Sequence, residues 1–377
     1  VFNQTTVQDL LKSNEQFDMV IMEQFINEAF KGFCYHYKAH CVVASTGGPS
    51  RWTDFQVGNP INPSYMPDLF LGYTPDMNFF QRIRNSFTHL FSTLVFFLFT
   101  LPKHNELMQK YFPGSPDLRD LYYNTSLILL NSHVSTSPPV PLVPNMIDIG
   151  GFHVTPPKAL PKDLQDYLDS AKDGAIYFSM GSNLKSKDME PSKRNAILKV
   201  FSKLKQKVLW KWEDETLPNQ PKNVKLGKWI PQQDVLAHPN IKLFITHGGL
   251  MSTIETIYHR VPIVGIPVFG DQELNVASAE HGGYGKAVNF KILSEETFEY
   301  AVNEVLHNPK YTEEVKRRSK VMHDQPMKPI DRAMFWIEYV LRHNGAPHLR
   351  TAALNLHWFQ LYCLDILVFE IAIVSII

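Results

Sequence analysis

The sequence predicts an α/β protein whose second half is a doubly wound parallel sheet. Three observations predict it. From Ala175 to Asn289 short apolar runs alternate with stretches of helical period. A proline-crowded span separates that half from a first half with strands of its own. Several later strands end in polar or glycine-bearing turns, where sheets of this kind bind ligands. At 377 residues the chain is too long for one ordinary domain and comfortable for two.

In the first half, Phe17–Met22 reads as a buried strand, with Glu23 opening the segment that follows. Cys41–Ser45 is a second strand, ending in Thr46, Gly47, Gly48 and Pro49. A proline-rich stretch runs from Pro60 to Pro75. Helical pattern returns over Phe79–Leu101 and Asn105–Tyr111, and Thr125–Leu130 is a strand. Prolines 138, 139, 141, 144, 156, 157 and 161 mark a linker. The boundary is placed near residue 157, giving units 1–157 and 158–345, with 346–377 apart.

In the second half, Ala175–Ser179 is a strand. Pro191–Gln206 carries Ile197, Leu198, Phe201 and Leu204 at helical period. Val208–Trp210, Val224–Leu226 and Leu243–Thr246 are strands, the last followed by helix to Tyr258. Pro262–Ile266 is a strand before a helix over Gln272–His281, and Ala287–Asn289 is another strand. Ser294 caps a helix with Glu295 and Glu296 in its first turn.

Composition excludes several classes. Hydrophobic residues are 44% and charged residues 20%, which calls for a packed core. Lys+Arg and Asp+Glu are 37 each and no basic block occurs, so nucleic acid is not an expected partner. Cys34, Cys41 and Cys363 cannot build a disulfide framework; a Cys34–Cys41 bridge is open, but spacing alone does not establish it. Sequons at Asn3 and Asn124 are glycosylation acceptors if the chain enters the secretory route.

Two apolar stretches have two readings each. The run from Ile366 to Ile377, interrupted by Glu370, is either a buried terminal helix or a membrane anchor cut short, being shorter than the roughly 20 residues of a span. Phe87–Leu101 carries His89, Ser92 and Thr93; a core helix is expected, with a membrane-surface patch as the alternative.

The strand ends of the second half carry the chemistry. After Ala175–Ser179, which ends in Ser179 itself, come Gly181 and Ser182, which suit a phosphate. His247, Gly248 and Gly249 open a helix whose free N–H groups and positive end face a ligand. Ser252 lies just over one turn in. Glu255, two turns after His247, can accept both ribose hydroxyls. Asp271 and Gln272 suit a polyhydroxyl ligand. Trp229 can stack on a flat base, with Gln232 bonding its edge or the ribose. Singly, each is as well explained as a turn, a capped helix with a core histidine, an Asp cap or a packed indole. Together they describe a site for a nucleotide sugar. No strand-linked Gly-x-Gly-x-x-Gly and no P-loop occur, which weakens the dehydrogenase and NTPase readings.

Trp229–Pro239, Phe244–Gly249, Glu255 and Gly265–Gln272 together resemble the signature of the UDP-glycosyltransferases, the inverting family that includes the UDP-glucuronosyltransferases. Asp331–Val340 and Gly345–Arg350 resemble its membrane-bound animal branch, as in an invertebrate member. The resemblance implies a GT-B fold, two Rossmann-like domains facing across a cleft, with residues 1–157 binding acceptor and 158–345 binding the UDP-sugar. It implies a UDP-sugar co-substrate, glucose before glucuronate, with neither cofactor nor metal. It implies a small lipophilic acceptor and a lumenal body on the endoplasmic reticulum membrane with one C-terminal span begun in 346–377, and leaves homo- or hetero-oligomers open. Another GT-B enzyme, such as a sugar-nucleotide epimerase, fits the Trp229 run less well.

Two departures from the family pattern follow. The family's orienting aspartate is matched by Glu23, which places its base histidine upstream of Val1; His36 and His40 match no catalytic position and are expected on the surface. The chain then reads as an N-terminally truncated transferase, or as a donor-binding chain without turnover. Met251 stands where many relatives carry an Asn that contacts the phosphates.

Overall fold

The computed structural model describes residues 1–23 and 25–376. Two parallel sheets form its frame. The first holds β1 (Met19–Glu23), β2 (His40–Ser45), β3 (Leu127–Leu130) and β4 (Met146–Asp148), in that spatial order. Glu23 closes β1 rather than opening the next segment.

The second sheet holds β5 (Ala175–Ser179), β6 (Lys207–Lys211), β7 (Val224–Gly227), β8 (Ile241–Thr246), β9 (Ile263–Gly265) and β10 (Gly285–Ala287). Its order is β10-β9-β8-β5-β6-β7, and every neighbouring pair is parallel. The strand expected at Ala287–Asn289 lies two residues earlier. All five residues of β5 are buried, because helices cover both faces of the sheet. On one face Phe178 stacks on Trp210 at 4.7 Å; on the other Tyr177 stacks on Phe244 at 4.8 Å.

The helix Pro329–Arg342, counted with the second half from sequence, packs on the first sheet. Its Ala333 and Val340, with Ala346, lie in one core with Val42, Leu127, Leu129 and Ile147. The chain therefore crosses between the sheets twice, near residues 149–161 and again before Pro329. Cys34 and Cys41 are disulfide-bonded, tying the helix Lys31–Tyr37 to β2, and Cys363 is free and exposed. His36 is exposed and His40 half-buried.

Phe87–Leu101 is a core helix only at its end, where Phe96 and Leu101 join Met108 and Tyr122; Phe87, Leu90, Phe91, Leu94, Leu98 and Phe99 are exposed. The helix Phe79–Val95 passes through a π turn, Phe96–Thr100, into the helix Leu101–Tyr111, and over Phe79–Thr100 only Asn85 and Phe96 are buried. The last helix, Leu364–Ile376, is not a buried terminal helix either: Ile366 to Phe369 are exposed, as are Ile371, Ile373 and Val374. Among the described residues no helix is long and apolar enough to cross a membrane.

Candidate functional site

β5 and β8 lie side by side, with Ser179 opposite Thr246, yet the chain leaves them toward opposite edges of the sheet. This is the topological switch point, where the loops at the strand carboxyl ends diverge and leave a crevice. A cleft of about 700 Å³ opens there. Ser179, Gly181, Ser182, Trp229, Gln232, His247, Gly249, Ser252, Glu255, Asp271 and Gln272 all lie on its wall. Phe25 and Thr46, in the loops after β1 and β2, face them from the first sheet.

Glycine shapes the bed of His247. A Cβ on Gly181 would lie 2.5 Å from His247 Cε1, and one on Gly249 would lie 2.7 Å from its Nε2. Gly181 also has φ +85°, a region L side chains avoid. The two glycines let the imidazole lie flat against the mouth of the helix Leu250–His259. Burial depresses its pKa to about 4, against the pull of the Asp271 carboxylate, so His247 is neutral at pH 7. A neutral ring donates from one nitrogen only.

Glu255 is buried one turn and a half into that helix. Gln232 Nε2 donates to Glu255 Oε2 at 2.6 Å and to Ser252 Oγ at 3.0 Å. Gln233 Nε2 donates to Glu255 Oε1 at 3.2 Å and to the His153 carbonyl at 3.3 Å. The carboxylate is thus fixed facing the cleft by two amides from the short helix Gln232–Leu236. Gln232, read as a partner for a base edge or the ribose, donates to Glu255 and Ser252 here. Trp229 precedes that helix and is 78% exposed, so it is no packed indole.

Asp271 does not cap the helix Gln272–His281 with its side chain. Its Oδ2 accepts from Asn275 Nδ2 at 2.7 Å, and the same amide donates to the Gly248 carbonyl at 2.9 Å. Gln272 is buried, and its Oε1 accepts from Val268 N and Phe269 N at 2.9 and 3.2 Å. Only its NH2 group remains for a ligand.

Glu23 stands apart. Its side chain is exposed and is not on the cleft wall, although its carbonyl accepts from Asn27. Sequence reasoning missed Lys211, whose Nζ reaches the Gly181 carbonyl at 3.1 Å and Glu213 at 2.9 Å. The signal was its place just after the apolar Val208–Trp210 run. It also missed His153, Nε2 3.6 Å from Glu255 Oε1, for which nothing in the local pattern speaks. Met251 is exposed at the same wall. Asn3 and Asn124 are both exposed.

A family model described as UDP-glucoronosyl and UDP-glucosyl transferase matches residues 1–377. The chain belongs to this family. It is 40% identical over 382 residues to UDP-glycosyltransferase UGT5 of Dactylopius coccus, covering 98% of this chain and 71% of the relative. It is 37% identical over 314 residues to human UDP-glucuronosyltransferase 2B7, covering 83% of this chain and 59% of that protein. Among solved structures it resembles the calicheamicin glycosyltransferase CalG4, with TM-score 0.58 at 17% identity over 91% of this chain and 80% of that one. It also resembles a UDP-glucose: anthocyanidin 3-O-glucosyltransferase in complex with UDP, with TM-score 0.58 at 14% identity over 86% and 75%. These place the transferase in the GT-B fold, which its two parallel sheets fit.

Proposed function

We propose that the transferase moves a hexosyl group, glucose before glucuronate, from UDP to a hydroxyl of a small lipophilic acceptor with inversion. One observation carries the reading: four separate strand-end loops of the second sheet bring all the donor-binding candidates onto one cleft wall. Trp229 stacks on the uracil, and Glu255 accepts from the ribose hydroxyls. His247, Ser252 and the N–H groups after Gly249 meet the diphosphate. Asp271 accepts from the sugar hydroxyls, and Gln272 donates to them.

In the reaction the acceptor oxygen loses its proton to a base and bonds to the anomeric carbon. The bond from that carbon to the diphosphate oxygen breaks on the opposite face. His247 and the helix end stabilise the charge gathering on the departing UDP. Apart from His247, no histidine lies on the cleft wall among the described residues. That observation favours a second reading, a donor-binding chain without turnover.

Glucose is supported by the wall itself. Glucuronate brings a carboxylate that glucose lacks, which calls for a cation, best an arginine. Among the described residues the wall carries no arginine; its cations are Lys158 and Lys211, the latter engaged by Glu213 and the Gly181 carbonyl, and Asp271 on the same wall would repel a sugar carboxylate. A relative 37% identical carries the name UDP-glucosyltransferase 2. An oxidising compartment such as the lumen of the endoplasmic reticulum is supported by the Cys34–Cys41 bridge and the exposed sequons.

Calorimetry with UDP, then turnover assays with UDP-glucose and UDP-glucuronate on a phenol, test these statements in order. Failure to bind UDP at millimolar concentration sinks the site. Binding without turnover selects the second reading, and faster turnover with glucuronate overturns the sugar assignment.

A further inference from the structure

The linker between β4 and β5 carries a histidine to which the donor reading gives no task. His153 belongs to a stretch tied to the short helix Gln232–Leu236 at three points. Thr155 N donates to Gln233 Oε1 at 3.0 Å, Gln233 Nε2 donates to the His153 carbonyl at 3.3 Å, and Lys158 N donates to Asp234 Oδ1 at 2.7 Å. These bonds bring the imidazole against Glu255. Its side chain is 9% exposed and does not line the cleft. It therefore faces the carboxylate and not the ligand.

Neither ring nitrogen has a hydrogen-bond partner among the described residues, although both are buried. A buried polar group in that state is costly, and nearly all in folded proteins have a partner. Nε2 lies 3.6 Å from Glu255 Oε1, beyond a hydrogen bond by about half an ångström. That oxygen is also the less firmly held of the two. Oε2 accepts from Gln232 at 2.6 Å, whereas Oε1 accepts from Gln233 at 3.2 Å. A ribose diol engages both oxygens at once, so the plane of the carboxylate has to be fixed for it.

We propose that His153 is a positioning residue of the donor site. With its hydrogen on Nε2 it donates to Glu255 Oε1 when the nucleotide is bound, and it sets the carboxylate plane for the two ribose hydroxyls. The proposal rests on the reading of Glu255 as the ribose acceptor, and it makes the linker part of the donor site.

The test titrates UDP and 2′-deoxy-UDP into the full chain by calorimetry. The parent should prefer UDP about tenfold or more, because the deoxy ligand lacks one hydroxyl that Glu255 accepts. His153→Phe keeps a ring but has no hydrogen to give, and His153→Ala removes the ring while keeping the backbone bonds. Each should cut the preference to about threefold or less, chiefly by weakening UDP. His153→Gln, whose amide nitrogen reaches about as far as Nε2, should restore it. Circular dichroism confirms that each variant is folded. Damage to packing alone would weaken both ligands alike and leave the ratio unchanged. If the Phe and Ala variants keep the parent's ratio, or Gln does not restore it, His153 does not position Glu255 and the proposal falls while the ribose reading stands. If the parent itself binds both ligands equally, the ribose reading fails first and takes the proposal with it.

Discussion

Substituting alanine for Gly181 should uncouple diphosphate binding from nucleoside binding. The new methyl would lie 2.5 Å from His247 Cε1, where ordinary contact begins at 3.4 Å, so the ring must retreat by about 1 Å. Gly249 closes the other side, where a Cβ would itself be 2.7 Å from Nε2. The backbone at φ +85° adds strain of about 1–2 kcal/mol for a non-glycine residue. A hydrogen bond to a charged group is worth about 1.5–3 kcal/mol. A displaced imidazole that loses its bond to the diphosphate should therefore weaken UDP about 10- to 100-fold. Titration calorimetry with UDP and with uridine reads the two effects apart. Uridine affinity should hold within about twofold, because Trp229 and Glu255 are untouched. Equal losses for both ligands, or no loss for UDP, would show that His247 does not meet the phosphates.

Other outcomes follow from the same geometry. Trp229→Ala should weaken UDP by about 1–3 kcal/mol while leaving the melting temperature nearly unchanged, since the indole is largely exposed. Asp271→Ala should weaken UDP-glucose but not UDP, and equal weakening of both would move Asp271 from sugar to nucleotide. Burial depresses His259 to a pKa of about 4, against the pull of Glu255. Its folded pKa is below the unfolded value near 6.5, so its contribution to stability is present above pH 6.5 and fades as pH falls toward 4. Denaturant midpoints across that window should fall less steeply in His259→Gln, and an unchanged slope would mean the ring is solvated. Asp54 behaves oppositely, its carboxyl pushed up to about 8 by burial against the Asn59 bond. Its own contribution to stability is present below pH 4 and is lost as pH rises toward 8, so Asp54→Asn should tilt the denaturant-midpoint profile in the direction opposite to His259→Gln.

Much of the second sheet was legible because its central strands are apolar on both faces and end at a change of composition. Ala175–Ser179 and Gln272–His281 match the observed elements residue for residue. The cleft was legible for a related reason: its residues sit at strand ends, and a parallel sheet brings strand ends together. Their partnerships were not legible. That Gln232 would hold Glu255, or that the Gln272 oxygen would be spent on Val268 and Phe269, depends on loop geometry that spacing does not encode. The outward turn of Phe87 and Phe91 was legible only as the alternative reading, because apolar composition states a preference for burial, whereas three bonds at Asn85 hold the rotation instead. The helix Pro329–Arg342 shows the same limit, since its apolar side was readable but the sheet it meets was not.

The double crossing of the chain bears on how this transferase can be cut and recombined. Topologically the donor-binding sheet is an insertion within the first unit, because Pro329–Arg342 returns to close over β2 and β3. A fragment of residues 158–345 would carry that helix without its seat, presenting Ala333 and Val340 to water. One ending before Pro329 would keep the whole second sheet and its cleft wall. A chimera that exchanges acceptor halves between relatives needs two junctions, one in the linker and one between His323 and Pro329. With a single junction, the closing helix of one parent would be asked to pack on the sheet of the other.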